Sequence, residues 1–209
     1  MNFKKSLTLF VLLSVFPMLG HASTYVIDHD HSNVNFKIRH FIGKVNGSFQ
    51  DFQGTIEYDE AKPKNMKVEG KITVSSINTG VDKRDEHLKS PDFFDIANKA
   101  NPGFQNITFK STKVKQIETK GEVTKALLVG DLTIHGVTKP VELNIELDGP
   151  AKDPFGNVKI SIEAEGEISR KDFGLTWNKA LETGGVLVGE EVEMELNIQA
   201  VAQKEEKKK

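Results

Sequence analysis

The chain of 209 residues contains no cysteine, one tryptophan and two tyrosines. Without cysteine the fold has no disulfide staples, no thiolate nucleophile and no thiolate metal ligand, and a chain exported into an oxidising compartment must stand on its core alone. It also has no site for an acylated lipoprotein anchor. Neither charge sign is in excess, since 28 Lys and Arg face 30 Asp and Glu for a formal net charge of −2, which argues against a nucleic-acid partner. Long apolar runs are missing after residue 19, so the remainder reads as soluble, without stable membrane insertion. No Pro-, Gly- or Ser-rich linker divides it, which favours one domain.

What is present begins with MNFKKSLTLFVLLSVFPMLGHA, in which Lys4 and Lys5 precede an apolar run from Leu7 to Leu19 and the small residues Gly20 and Ala22. This is the three-part pattern of a secretory signal peptide over residues 1–22, and it predicts a periplasmic or secreted protein. The other end, from residue 203 to 209, is a charged tail expected to be disordered. Between them, residues 23–202 alternate apolar and polar with the period of half-buried strands. Runs such as Val34, Phe36, Ile38; Leu128, Leu132, Ile134; and Val158, Ile160, Ile162 recur about eight times, separated by short turns, which predicts an all-β antiparallel barrel or sandwich. Gly54, Gly70, Gly130 and Gly166 fall at inward parity and suggest an interior that side chains do not fill.

Two segments depart from the alternation. Residues 79–106 are polar and irregular, with a short helix expected over Asp82 to Leu88, and Phe93, Phe94, Ile96 and Phe104 give this insertion something to pack with. An insertion of that length in a compact β domain is more often functional than idle. The second, from Phe173 to Gly189, carries Trp177, the single tryptophan.

IDHDHSNVNFKIRH, from Ile27 to His40, looks at first like a metal site. His29 and His31 are two residues apart, and zinc needs three or four ligands. The other histidines of this region of the chain, His40, His87 and His135, show no metal-motif spacing, so no metal is expected. We read Asp28 to Asn33 as a turn leading into the first long strand. There is no G-x-S-x-G nucleophile elbow and no glycine-rich phosphate loop. Glu163, Glu165 and Glu167, like Glu191, Glu193 and Glu195, alternate with apolar residues and read as an outer face.

Four segments, YVIDHDHSNVNFKIRH (Tyr25 to His40), RDEHLKSPDFFDIAN (Arg84 to Asn98), LTIHGVTKPVEL (Leu132 to Leu143) and RKDFGLTW (Arg170 to Trp177), resemble the YceI family of secreted, lipocalin-like lipid-binding proteins. The resemblance implies an extended eight-stranded antiparallel β-barrel whose pore holds a polyisoprenoid or similar amphiphile. On that basis Phe36, Ile38, Phe109, Leu132, Ile134 and Val141, with Leu143, Ile160, Ile162, Met194 and Leu196, are expected along the pore wall. Phe93, Phe94 and Trp177 are expected to close an end, with Arg84 and His87 as polar anchors. His135 and Gly136 are read as a tight turn, and Arg170 with Asp172 as a loop brace. The expected activity is to bind and carry or sequester one isoprenoid, quinone or fatty-acid-like ligand, without a cofactor and without catalysis. The alternatives are a lipid-modifying enzyme with His87 as base, a metal-binding barrel, or a protein-interaction module. The sequence leaves a homodimer open.

Overall fold

The computed structural model describes residues 22–182 and 185–203. The leader expected over residues 1–22 and the tail expected over 203–209 therefore lie almost entirely outside the described residues. The strands are β1 (Ser23–Ile27), β2 (Asn33–His40), β3 (Gly43–Phe49), β4 (Phe52–Tyr58), β5 (Lys67–Thr73) and β6 (Ile77–Asn78), followed by helix α1 (Asp82–Lys89). The long strands β7 (Asn106–Lys120), β8 (Val123–Ile134), β9 (Val137–Lys152), β10 (Val158–Ser169) and β11 (Val188–Ala202) complete the sheet. No helix among the described residues is long and apolar enough to cross a membrane.

The first six strands join end to end in pairs. β1 and β2 both lie along β11, separated by a 3-10 turn at His29–His31, and their partners β4 and β3 run into each other through Gln50 and Asp51. β5 and β6 are divided by a second 3-10 turn, Val74–Ser76, and pair with β4 and β3. Three composite staves plus β7 to β11 make eight, each antiparallel to its chain neighbour, and the β1–β11 pairing closes the ring. The predicted eight-stranded barrel is thus observed, and closure removes the sheet edges on which other chains add strands.

Alternation supplies the two faces. Leu128, Leu132, Ile134, Val141, Leu143, Ile145 and Leu147 are buried within β8 and β9. Outside, cross-strand ion pairs line the wall: Lys67–Glu57 at 2.6 Å, Lys110–Glu69 at 2.7 Å and Lys125–Glu146 at 2.6 Å each join residues directly opposite one another. Such exposed pairs contribute little stability and serve mainly to keep the outer surface wet.

Antiparallel order sorts the connections by end. The β2–β3 hairpin, the insertion 79–105, the β8–β9 hairpin and the connection 170–187 share one end, and the turns after β4, β7 and β9 share the other. His135 (φ 51°) and Gly136 (φ 74°) form the two-residue β8–β9 turn with both residues in the left-handed region, as that hairpin type requires. The turn was expected. The His135 ring packs on Phe104 of the insertion, with centroids 3.8 Å apart, which ties the two loops together.

The histidine-rich opening segment is a turn, as expected, and it is held by both backbone and side-chain partners. Ser32 Oγ accepts from Gln199 N at 3.0 Å and donates to Asp28 O at 2.7 Å. Asp28 takes His31 Nδ1 at 2.9 Å and Lys159 Nζ at 3.3 Å, and these partners hold its carboxyl below its ordinary pKa. His29 stacks on Phe52 at 4.9 Å and its Nε2 lies 2.8 Å from Gln50 O.

Candidate functional site

A cavity of about 460 Å³ occupies the barrel interior. That lies within the range of small-molecule sites, roughly 300–1,000 Å³. Every wall and cap residue expected from the sequence lines it except Ile160. Ile160 is buried opposite Ala200 and, with Tyr25, Tyr58 and Leu147, fills the end of the barrel where β1 starts. Its parity is inward, but it sits beyond the floor of the cavity. The wall also includes residues not foreseen: Val34, Phe52, Ile56 and Ile72 share the period of the residues that were named, and period alone would have found them, whereas Phe49 lies on β3, whose alternation is interrupted by Gly47. Leu175 and Leu187 come from the irregular connection, where no periodicity points inward, and Val188 opens β11 ahead of a break in its register with β2.

The glycine reading needs correction. A Cβ on Gly130 would stand 2.4 Å from the Phe109 ring and 2.7 Å from Lys110 O, and one on Gly166 would meet Leu143 at 2.7 Å. A Cβ on Gly54 would meet Glu69 O at 2.4 Å and Ile27 at 2.9 Å. These three glycines are covered by side chains and carbonyls of neighbouring strands, so they are close-approach points and not open volume. Gly70 alone of the four has nothing within 4 Å of that position, and it lines the cavity.

At the other end the two long connections meet. His87 of α1 makes edge-on contacts with Phe93 at 5.1 Å and Trp177 at 4.9 Å, and Phe93 and Trp177 are 5.2 Å apart. His87 Nε2 is 2.8 Å from the Asp92 carboxylate, which fixes the ring between the two aromatics. Arg84 donates from Nε to Thr79 Oγ1 at 2.7 Å and from Nη2 to Thr79 O at 2.8 Å. Asp85, buried beneath, accepts from Thr79 N at 3.0 Å and also from the Thr79 hydroxyl, so one threonine is held by two consecutive helix residues.

Arg170 is the brace of the second connection, but Asp172 is not its partner. Arg170 is 3% exposed and lines the cavity. It donates to Gly189 O at 2.8 Å, to Trp177 O at 2.9 Å and to Leu175 O, gathering carbonyls from both ends of the connection. Burial pushes its pKa below the ordinary arginine value, partly offset by Glu190. Asn178 adds a second clasp, donating to Val188 O at 2.6 Å and accepting from Val188 N at 3.0 Å.

A closed antiparallel barrel, filled at one end and capped by aromatics at the other, with an apolar chamber between, defines the architectural class. The chain belongs to the YceI-like domain family, whose family model matches residues 25–200. It is 37% identical over 206 residues to Protein YceI of Salmonella arizonae, covering 96% of this chain and all of that protein. The YceI protein of Campylobacter jejuni superposes with a TM-score of 0.65 at 29% identity, over 79% of this chain and 90% of that one. A polyisoprenoid binding domain from Saccharophagus degradans, implicated in plant cell wall breakdown, superposes with a TM-score of 0.63 over 88% of this chain and all of that one. At 17% identity the likeness concerns the fold.

Proposed function

We propose that the protein binds one long-chain isoprenoid or similar amphiphilic lipid inside the barrel and carries or sequesters it, in the periplasm or outside the cell. The observation that carries the reading is the 460 Å³ chamber, whose exposed inner surface is overwhelmingly apolar and is supplied mostly by Phe, Ile, Leu, Val and Met. Each methylene moved from water onto such a wall contributes about 0.8 kcal/mol, so a few isoprene units offset the cost of immobilising the chain and its loops. Taking about 30 Å³ per small heavy group, the volume accepts on the order of fifteen of them. The binding of polyisoprenoid by the Saccharophagus domain of like fold supports this choice of ligand class.

In this reading Phe36, Ile38, Phe109, Leu132, Met194 and Leu196 contact the tail, and Phe93, Phe94 and Trp177 close over its outer end. Arg84 and His87 face the headgroup, whether quinone, alcohol or amide. The protein acts as a binder without cofactor or catalysis. Extraction of protein purified from its native host with organic solvent, followed by mass spectrometry, tests the proposal. One released amphiphile per chain, rebinding to the stripped protein, is expected. Recovery of empty protein that binds no chain lipid, or turnover of the extracted lipid that His87→Ala abolishes, would overturn it.

A further inference from the structure

Two buried side-chain nitrogens have no hydrogen-bond partner among the described residues, His135 Nε2 and Arg170 Nη2. His135 belongs to the β8–β9 turn and is not part of the chamber wall, whereas Arg170 is. Parity brings Arg170 there, because it continues past the end of β10 the inward series of Ala164 and Ile168, which also line the chamber. Its Nε and Nη1 are engaged with the carbonyls of Gly189, Leu175 and Trp177, and Nη2 is left over. A buried donor without an acceptor costs free energy, and more so when it belongs to a charged group.

The charge is also unbalanced. A guanidinium stays protonated in a protein, and a buried charge is expensive unless a counter-charge stands beside it. No carboxylate among the described residues lies within ion-pair distance of Arg170. Glu190 acts on it from further away and is itself bonded to Lys171. The other polar groups at the capped end are matched: Arg84 shares Thr79 with the Asp85 carboxylate, and His87 is bonded to Asp92. Arg170 is therefore the buried cation of the wall that lacks a counter-charge, and it has a free donor as well.

We infer that the tail held in the chamber ends in an oxyanion, a carboxylate or a monophosphate, and that Arg170 Nη2 donates to it. This rests on the reading that the chamber holds a lipid tail. It goes beyond the neutral headgroups considered above, because a quinone, alcohol or amide oxygen accepts the N–H and leaves the charge unbalanced. Guanidinium geometry suits carboxylate and phosphate oxygens, and such bonds are stronger than neutral ones. Nη2 is buried, so the oxyanion reaches it from the chamber side, with an apolar wall side chain giving way. Arg170 Nη1 holds the carbonyl of Trp177, whose ring meets His87, so an oxyanion bound here lies at the capped end and its tail runs towards the filled end.

Stripped protein is titrated at neutral pH with farnesol, methyl farnesoate, farnesoic acid and farnesyl monophosphate, which share one tail. Binding is followed through Trp177, the single tryptophan. Expected is binding of all four, with the acid or the monophosphate tighter than the ester by about tenfold or more. The tighter of the two names the oxyanion. In Arg170→Gln the ratio of oxyanion to ester affinity is expected to fall to about one. If that variant does not fold, the guanidinium N–H resonances of arginine-labelled wild type decide, since Arg39 and Arg84 are the other arginines of the chain and their glutamine variants assign the signals. The oxyanion is expected to move the Arg170 signals downfield, further than the ester does. Equal binding of oxyanions and ester by wild type, a preference that persists in folded Arg170→Gln, or Arg170 signals that the oxyanion leaves unmoved overturns the proposal and makes Arg170 a structural brace alone. Binding of none of the four ligands overturns the chamber reading together with it.

Discussion

Substituting Gly70 with leucine separates ligand binding from fold stability. Gly70 faces the chamber, and a Cβ there would meet no atom within 4 Å. A leucine side chain adds about four carbons to the wall and takes the room of about as many ligand carbons, so at about 0.8 kcal/mol per methylene the ligand loses about 3 kcal/mol. That corresponds to a weakening of Kd by about two decades. The protein itself should become more stable, because glycine within a strand costs roughly 0.5–1 kcal/mol in backbone entropy. Titration of stripped protein with a farnesol-type fluorescent probe reads the first quantity, and thermal unfolding without ligand reads the second. A leucine variant that melts lower would mean the space beside Gly70 is filled by protein. Undiminished affinity in a stably folded variant would mean the tail does not occupy that space.

Gly130→Ala is expected to behave in the opposite way, lowering stability by about 1–3 kcal/mol in urea unfolding, because its methyl group collides with Phe109 and Lys110 O. Adding Phe109→Leu should restore only part of the loss, since the carbonyl contact remains. Arg170→Met leaves the carbonyls of Leu175, Trp177 and Gly189 without their donor, and unfolding should show a loss of about 3 kcal/mol or more. Asp28→Asn should change the acid limb of the stability curve. The native carboxyl titrates below its ordinary value of 3.8, chiefly through His31 and then Lys159, so the wild type holds this contribution above that value and loses it as the pH falls through the lower native pKa. The difference between wild type and Asp28→Asn, followed by circular dichroism, should therefore be full near neutrality and shrink below about pH 4. An unchanged difference at low pH would refute the assignment.

The barrel was legible where strands are long and alternate cleanly, as in β8 to β11. It was less legible at the start, for a physical reason. β3 reads GKVNGSF, so its inward residues are Val45, Gly47 and Phe49, and the middle one is covered by the Phe36 ring. Too little apolar contrast remains to show a period. The breaks that divide the first three staves fall at His-Asp-His, Gln50-Asp51 and Val-Ser-Ser, which carry no glycine or proline. Parity gave the facing of a side chain but not its depth along the barrel axis, which is why Ile160 was expected on the wall of the chamber and lies beneath its floor. Nor did it reveal what stands opposite a glycine, because Phe109 over Gly130 and Leu143 over Gly166 are contacts between strands. Arg170 was matched to Asp172 by proximity in sequence, whereas its partners lie five, seven and nineteen residues onward. The cap residues Arg84, His87, Phe93 and Trp177 were named from motifs, since their meeting depends on two loops folding over one end.

The most direct test of the account is a titration of stripped protein with isoprenoid alcohols of increasing length. Affinity should rise several-fold or more with each added five-carbon unit and level off near three or four units, when about fifteen to twenty carbons fill the chamber. Affinity that is independent of chain length, or no saturable binding at any length, would contradict the claim that an apolar tail occupies the barrel.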